Sequence, residues 1–335
     1  MEKIQAGNLL APVVVAADDA YLYPLLIAVL SAHKKSIQKI DFIVAYDKKL
    51  LSPKSLTVIH DVLNHFEVSV SFLEIDISDS KWDKSFNIFG HFGRMCYIKL
   101  LLPEYVDSNF LWLDSDTLTR LPLDDLLTRE NQSQSWIVSA VLEDHSKHKW
   151  KTTNKAIRKV GKNYFNAGIM LINSSGWKIS GIDQRWREII LKYQRYGFEW
   201  GDQDVLNYVF LRRTGFVPLS ENYNTGIDKE IIQSETRILH FKASSKPWHL
   251  KFSDFEVESP HYKEYLQFEL KFLSMLKSED NLKREIEEIR KNLVREKQPP
   301  QTVVRSYRSR SISKVKFGLL FLRQLIREIE IVGRN

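Results

Sequence analysis

The chain has 335 residues, 43% of them hydrophobic, and a formal net charge of +7, so it is long enough to bury a sizeable core. Residues 277–335 hold fifteen basic and eight acidic side chains, which account for the whole excess and leave the rest of the chain neutral. A neutral body argues against a general nucleic-acid-binding surface.

Two further features bear on location. No apolar run is long enough to span a bilayer, and residues 1–10 lack the basic and apolar pattern of a signal peptide. The single cysteine, Cys96, allows no internal disulfide and fits a reducing compartment, where we expect an inert, buried thiol. These features predict a cytoplasmic protein.

Strand and helix patterns alternate through the first half of the chain. Strands are predicted at residues 12–17, 40–45, 68–75 and 110–113, and helices at 21–32, 53–65 and 91–102. Ser52 is the expected N-cap of the second helix. Such alternation favours an α/β fold, with a mostly parallel central sheet between flanking helices.

The second half is less regular. Strands are predicted at residues 136–142, 165–172, 216–219 and 238–241, and helices at 175–193 and 202–211. From residue 262 the pattern becomes helical and charged, which we interpret as a solvated spacer. We expect a catalytic domain over 10–260, this helical spacer over 261–298 and a basic tail over 299–335.

Two of the predicted strands end in paired acids, Asp18-Asp19 and Asp114-Ser115-Asp116. Open parallel sheets bind ligands beyond the carboxyl ends of their strands. Hard divalent cations prefer carboxylate and phosphate oxygens, and such an ion would neutralise a diphosphate leaving group. Alternatively, Asp114 and Asp116 cap a helix or turn that begins near Thr117.

A second alternative uses the same acids. The segment Leu113-Asp-Ser-Asp-Thr-Leu118 resembles the nucleophile motif of haloacid-dehalogenase-type phosphatases, and Asp202 and Asp204 weakly resemble their later acidic motif. That motif should follow a buried strand, whereas the residues before Asp202 are polar. This interpretation also leaves the first hundred residues without a role.

Five segments together resemble glycosyltransferase family 8, whose members include bacterial lipooligosaccharide galactosyl- and glucosyltransferases and glycogenin. The segments are Ala16-Ala-Asp-Asp19, Asp114-Ser-Asp116, Tyr164-Phe-Asn-Ala-Gly-Ile-Met-Leu-Ile-Asn173, Asp202-Gln-Asp-Val-Leu-Asn207 and His240-Phe-Lys-Ala-Ser-Ser-Lys-Pro-Trp248. The resemblance implies a GT-A fold with a Rossmann-like sheet, and a retaining, metal-dependent hexosyltransferase.

The resemblance also implies the sites of metal and nucleotide binding. Asp114, Asp116 and His240 would hold Mn²⁺, with Mg²⁺ as the other candidate, against the diphosphate of UDP-glucose or UDP-galactose. The remaining nucleotide contacts would be Ala16, Asp18 at the uracil, Tyr21 stacked near it, and Lys246 at the diphosphate.

The donor sugar would be lined by Asn166, Ala167, Asp202 and Gln203, with Glu143 or Asp144 near the sugar or acceptor. Lys99 would clamp the donor, although the family usually has Arg at this position. Asp202 and Gln203 are the catalytic candidates, because retention in glycosidases normally needs a nucleophile beneath the sugar. The alternative is a front-face route, in which the leaving phosphate accepts the acceptor's proton.

The tail has its own pattern. Residues 301–327 contain seven basic side chains and no acid, and apolar residues recur at helical spacing: Ile312, Val315, Leu319, Leu322, Ile326 and Ile329. The basic residues that lead into this stripe are Arg305, Arg308, Arg310, Lys314 and Lys316. This pattern suits an anionic membrane surface, and a lipid-linked glycan acceptor on the inner face of the cytoplasmic membrane. Packing of the tail on the body or on a partner chain is the alternative, and a non-catalytic nucleotide-sugar-binding scaffold is a third functional hypothesis.

Overall fold

A computed structural model describes residues 10–77, 94–128, 136–143, 155–193, 198, 200–212, 214–223, 225–226, 232–242, 246–250, 260–276 and 280–296. The strands in these ranges are β1 Val13–Ala16, β2 Asp41–Tyr46, β3 Ser69–Glu74, β4 Phe110–Leu113, β5 Thr117–Thr119, β6 Val138–Leu142, β7 Phe165–Ile172, β8 Phe216–Leu219, β9 Thr225–Gly226 and β10 Ile238–His240. The helices are α1 Leu22–Lys35, α2 Pro53–His65, α3 Leu102–Tyr105, α4 Asp124–Thr128, α5 Lys155–Val160, α6 Ser174–Ile179, α7 Ile182–Tyr193, α8 Asp202–Val209, α9 Pro260–Met275 and α10 Asp280–Glu296.

Seven strands form one sheet in the order β3-β2-β1-β4-β7-β6-β8. All of its neighbouring strands pair in parallel except around β7, which is antiparallel to both β4 and β6. The predicted mostly parallel sheet is therefore confirmed. The reversal of β7 brings its first residues to the edge where the parallel strands end.

The central strands are buried on both faces. Val13 and Val15 of β1 pack in the core cluster that contains α1 and α2, whereas Val14 packs with α7 and α8 on the opposite face. Successive strand side chains point to opposite faces, so an unbroken apolar run is what a strand between two helical layers requires.

A smaller sheet of three strands, in the order β5-β10-β9, lies next to the site described below. In it β10 pairs antiparallel with β5, so that His240 lies opposite Thr117. This pairing joins the chain just after the Asp114–Asp116 acids to a strand far along the sequence.

Two local predictions need correction, and a third is confirmed. The predicted helix over 175–193 is two helices, α6 and α7, because Gly181 between them has φ of 63°, a left-handed conformation that ends a helix. The predicted helix over 91–102 is 3-10 helical over Arg94–Leu100 and then continues as the short α3. The N-cap prediction is confirmed, since the Ser52 hydroxyl accepts a hydrogen bond from the Ser55 amide.

The charged C-terminal helices differ from the solvated spacer that the sequence suggested. Residues 22–32 of α1 are all buried, which needs cover on every side of that helix. Part of the cover comes from α9 and α10, where Tyr265 and Ile286 are fully buried in the same core cluster as α1. The described part of 261–298 therefore packs on the body, while the tail over 299–335 lies outside the described residues. No described helix has the length and apolar content needed to cross a membrane.

Candidate active site

Two aspartates and a histidine meet where the central sheet gives way to the small sheet. Asp114 directly follows β4, Asp116 directly precedes β5, and His240 is the last residue of β10. The backbone amide of Phe241 donates to the carbonyl of Asp116 at 2.9 Å, which fixes β10 beside the acids. Strand pairing, and not sequence proximity, therefore assembles this cluster.

The three side chains point at one another. The His240 Nε2 atom lies 3.1 Å from Asp116 Oδ1 and 3.7 Å from Asp114 Oδ2. One ligand atom from each residue lies within 4.8 Å of the other two, so this cluster could hold a metal ion. The capping alternative for the two acids is wrong, because a strand, β5, follows them instead of a helix.

Gly168 of β7 makes room for the cluster. The Asp114 amide donates to the Gly168 carbonyl at 2.7 Å, which holds the two backbones side by side. A Cβ atom at position 168 would lie 2.1 Å from His240 Cε1 and 2.8 Å from Asp114 Oδ2. Only glycine fits between these side chains without displacing them.

Lys246 contacts Asp116, the second of the two acids. Its ammonium donates to Asp116 Oδ2 and to the Phe241 carbonyl, both at 2.6 Å. Burial raises the pKa of Asp116, but Lys246 and His240 outweigh it and hold that pKa well below its usual range. Asp116 is therefore an anion at neutral pH, as a ligand for a cation must be.

Lys99 is buried behind the acids. Its ammonium lies 3.1 Å from Asp114 Oδ1, 2.8 Å from Asp202 Oδ2 and 3.1 Å from the Ala167 carbonyl. Burial lowers the pKa of Lys99, but the two carboxylates outweigh this effect and raise it above its usual value. Lys99 thus donates to Asp114 and Ala167 and forms an ion pair with Asp202, so its ammonium is directed into the protein.

The sugar-lining candidates form a hydrogen-bonded group at the start of β7. The Asn166 amide donates to Glu143 at 2.6 Å and to Gln203 Oε1 at 3.0 Å. The same Gln203 oxygen accepts from the Ala167 amide at 3.0 Å. Glu143 thus lies in this group, whereas its sequence alternative Asp144 lies outside the described residues.

The nucleotide candidates lie at the end of β1. Asp18 accepts from the Tyr21 amide at 3.0 Å, and Ser115 donates to the Ala16 carbonyl at 2.6 Å. Tyr21 meets Trp248 edge to face, with ring centroids 6.0 Å apart. Burial and the nearby acids raise the pKa of Tyr21, so its phenol stays protonated.

Sequence reasoning missed two partners of the site. Trp112 donates to Asp114 at 2.7 Å, and Lys242 lies 3.0 Å from Glu143. The signal for Trp112 was available, since residues two apart on a strand share a face. For Lys242, which follows β10, no sequence pattern indicated Glu143 as its partner. Burial raises the pKa of the Cys96 thiol, consistent with the inert role expected for it.

This sheet order, with one reversed strand and an Asp-x-Asp pair at its carboxyl edge, defines the GT-A class of nucleotide-sugar-dependent transferases. The model of the family Glycosyl transferase family 8 matches residues 12–251, and the chain belongs to this family. Membership implies a nucleotide-sugar donor and a glycan acceptor. It displaces the phosphatase alternative, and in the structure Asp202 is the first residue of helix α8.

Individual relatives agree with the family. A candidate glycosyltransferase of Haemophilus influenzae is 26% identical over 72% of this chain and 74% of its own length. A lipopolysaccharide 1,2-glucosyltransferase of Escherichia coli is 25% identical over 46% of this chain and 49% of its own length, so the match spans about half of that relative. The crystal structure of galactosyltransferase LgtC with donor and acceptor sugar analogs covers 77% of this chain and 94% of its own, with a TM-score of 0.62 and 21% identity. That likeness supports the fold.

Proposed function

We propose that this protein transfers a hexose, glucose or galactose, from a UDP-sugar to a carbohydrate acceptor with retention of anomeric configuration. The observation that carries the proposal is the convergence of Asp114, Asp116 and His240 beside Lys246. Lys99 contacts both Asp114 and the Ala167 carbonyl, which places the cluster next to the Asn166–Gln203 group. A diphosphate at the cluster would therefore bring its sugar to that group.

The metal candidates fit Mn²⁺ on the chemistry of their donor atoms. Two carboxylates suit a hard divalent cation, and an imidazole nitrogen favours Mn²⁺ over Mg²⁺. When bound, the ion would neutralise charge that develops on the departing diphosphate. Lys246 would add a point charge on the same leaving group.

The surroundings of the catalytic candidates favour the front-face route. Asp202 is 5% exposed and its carboxylate is paired with Lys99, and the Gln203 oxygen already accepts two hydrogen bonds. Neither group is arranged as a nucleophile. In the front-face route the acceptor oxygen bonds to the anomeric carbon as the bond to the UDP phosphate breaks, and the acceptor proton passes to that phosphate. Asp202 and Gln203 would then hold the sugar.

We further propose a lipid-linked acceptor, such as a lipopolysaccharide, lipooligosaccharide or capsule glycan, reached from the cytoplasmic face of the membrane. The Escherichia coli relative is a lipopolysaccharide 1,2-glucosyltransferase, and the basic amphipathic pattern of residues 299–335 suits an anionic surface.

A donor screen tests the proposal directly. UDP release is measured for each of several UDP-sugars with Mn²⁺, with Mg²⁺ and with chelator, alongside a phosphomonoester. We expect release from UDP-glucose or UDP-galactose that depends on the divalent ion. Hydrolysis of the phosphomonoester alone would identify a phosphatase, and silence with every donor would identify a scaffold.

Variants at the cluster provide the second test. Asp114→Asn or His240→Ala should nearly abolish metal-dependent release, because each removes a proposed ligand atom. Asp61→Asn is a matched control, since this exposed aspartate lies on α2, outside the cluster. Near-wild-type, chelator-sensitive release by either cluster variant would contradict the ligand set.

A further inference from the structure

The segment 246–250 connects the candidate site to helices that lie beyond the family match. Lys246 contacts Asp116, and its ammonium lies 5.6 Å from the centroid of the Trp248 ring. Trp248 in turn meets Tyr21. The family match ends at residue 251, whereas α9 begins at Pro260, so the family resemblance assigns no role to α9 or α10.

Arg290 of α10 forms hydrogen bonds with the backbone of this segment. Its guanidinium donates to the Trp248 carbonyl at 2.6 Å and to the Leu250 carbonyl at 2.8 Å. One residue, with a planar fork of donors, therefore holds two carbonyls that follow Lys246 closely. A lysine has no such fork and could not hold both in the same geometry.

The guanidinium is itself fixed from the opposite side. Glu269 of α9, fully buried, accepts from Arg290 and also accepts from the Tyr23 phenol of α1 at 2.6 Å. Arg290 is 4% exposed. A buried guanidinium needs this carboxylate, because an uncompensated buried charge is strongly unfavourable. The fork is thus anchored to the helix that follows β1.

Further contacts tie the same segment to the helix pair. His249 Nδ1 lies 2.7 Å from the Leu293 carbonyl of α10. The ring of Trp248, 2% exposed, lies 5.9 Å from the ring of Tyr265 of α9. Both helices therefore contact the segment, α10 through hydrogen bonds to its backbone and side chains and α9 through ring packing.

We propose that α9 and α10 position Lys246 and Trp248 for the donor, and that Arg290 is the positioning residue through which they act. The inference rests on the proposed function in taking Lys246 as the diphosphate contact. Among the described residues, Lys246 is the ammonium that contacts Asp116 and the His240 imidazole is the other partner, so a displaced segment would leave this carboxylate without its ammonium.

The first experiment needs no ligand. Hydrogen–deuterium exchange of a peptide that covers 246–250 is compared for wild type, Arg290→Lys and Ile286→Ala. The His249 and Leu250 amides report on the segment, because they donate to the Lys246 and Pro247 carbonyls. Ile286→Ala is the matched control, a buried apolar truncation on the same helix, with temperature set so that both variants are equally far below their melting points. We expect faster exchange only in Arg290→Lys, and equal exchange in the two variants would overturn the inference.

The second experiment is a double-mutant cycle on the affinity for UDP with MnCl₂. Arg290→Lys should weaken binding about tenfold, the loss expected for a charge-assisted hydrogen bond. In a Lys246→Met background the same change should have little further effect, because Arg290 acts through Lys246. Losses that simply add would overturn that route. Wild-type protein that fails to bind UDP would contradict the proposed function, and the exchange experiment would still decide the role of Arg290.

Discussion

At the scale of single residues, the site is a set of buried charges that neutralise one another. Two lysines, Lys99 and Lys246, pair with Asp114, Asp202 and Asp116 in the described site. Burial alone would raise the pKa of Asp116, but Lys246 and His240 hold it below its usual value, whereas burial raises the pKa of Asp202 despite its pairing with Lys99. Two predictions follow from this arrangement. Removing a buried charge should destabilise the fold, and filling the space beside the cluster should prevent metal binding.

Lys99→Met should destabilise the fold by about 3–5 kcal/mol, because it leaves two carboxylates without the ammonium buried between them. Urea unfolding gives the free energy difference. Lys99→Arg keeps the charge and should cost less. Adding Asp202→Asn to Lys99→Met should recover part of the loss. A change of less than about 1 kcal/mol for Lys99→Met would mean that the pairing is not stabilising.

Gly168→Ala should abolish Mn²⁺ binding and reduce transfer about a hundredfold or more, since its Cβ would occupy space held by His240 and Asp114. Titration calorimetry with MnCl₂ and UDP release provide the measurements. Gly176→Ala, on α6, tests the same substitution where the nearest atom, Asn173 Cγ, would be 3.1 Å away. Normal metal binding by Gly168→Ala would show that the cluster moves to accept a methyl group.

At the scale of elements, the sequence predicted the strands that matter to the site. The apolar run at 110–113, followed by acids, gave β4 with its observed bounds, and the run at 165–172 gave β7. The direction of β7 could not be predicted, because hydrophobic periodicity does not distinguish parallel from antiparallel pairing. Yet that direction puts Gly168 beside Asp114, with Asn166 two residues before it. The resemblance to the family predicted that these residues share one site, which the pattern of residues alone did not.

Helices were predicted less well where charge and burial conflict. The pattern of α10 indicated a solvated helix, but its buried Arg290 is compensated by Glu269, which lies on a different helix. From the sequence alone, an arginine is expected at the surface, because buried arginines are uncommon unless they are paired. The pairing depends on tertiary contacts.

The capping of α2 gives an element-scale prediction. Ser52→Ala should cost about 1 kcal/mol, the usual loss for an N-cap hydroxyl, because the Ser55 amide loses its partner. Thermal unfolding measures it, and UDP release should stay unchanged. Thr57→Ala, also on α2 but within the helix, is the control and should cost less, since its hydroxyl only adds a bond to the Pro53 carbonyl. Equal losses would argue against a capping role.

At the scale of the whole molecule, a truncation should distinguish the role of the basic tail from that of the neutral body. Deleting residues 298–335 leaves α10 complete and removes the amphipathic stripe, so the truncated protein should fold and use a soluble acceptor normally. It should lose co-sedimentation with anionic vesicles, at about 1 kcal/mol per basic residue near the surface. Neutral vesicles provide the control. Unchanged sedimentation of the truncated protein would favour packing of the tail on the body or a partner chain.

The strand pairing that brings Asp114, Asp116 and His240 together also determines when this cluster can form during synthesis. Lys246 and Asp116, in contact at 2.6 Å, are separated by 130 positions in the chain. Closing so long a loop is entropically costly and comes late in folding. During synthesis, therefore, the candidate metal cluster cannot assemble until the chain beyond His240 has left the ribosome. A product that ends before His240 would lack one of the three candidate metal ligands and, under the proposed function, could not turn over a nucleotide sugar.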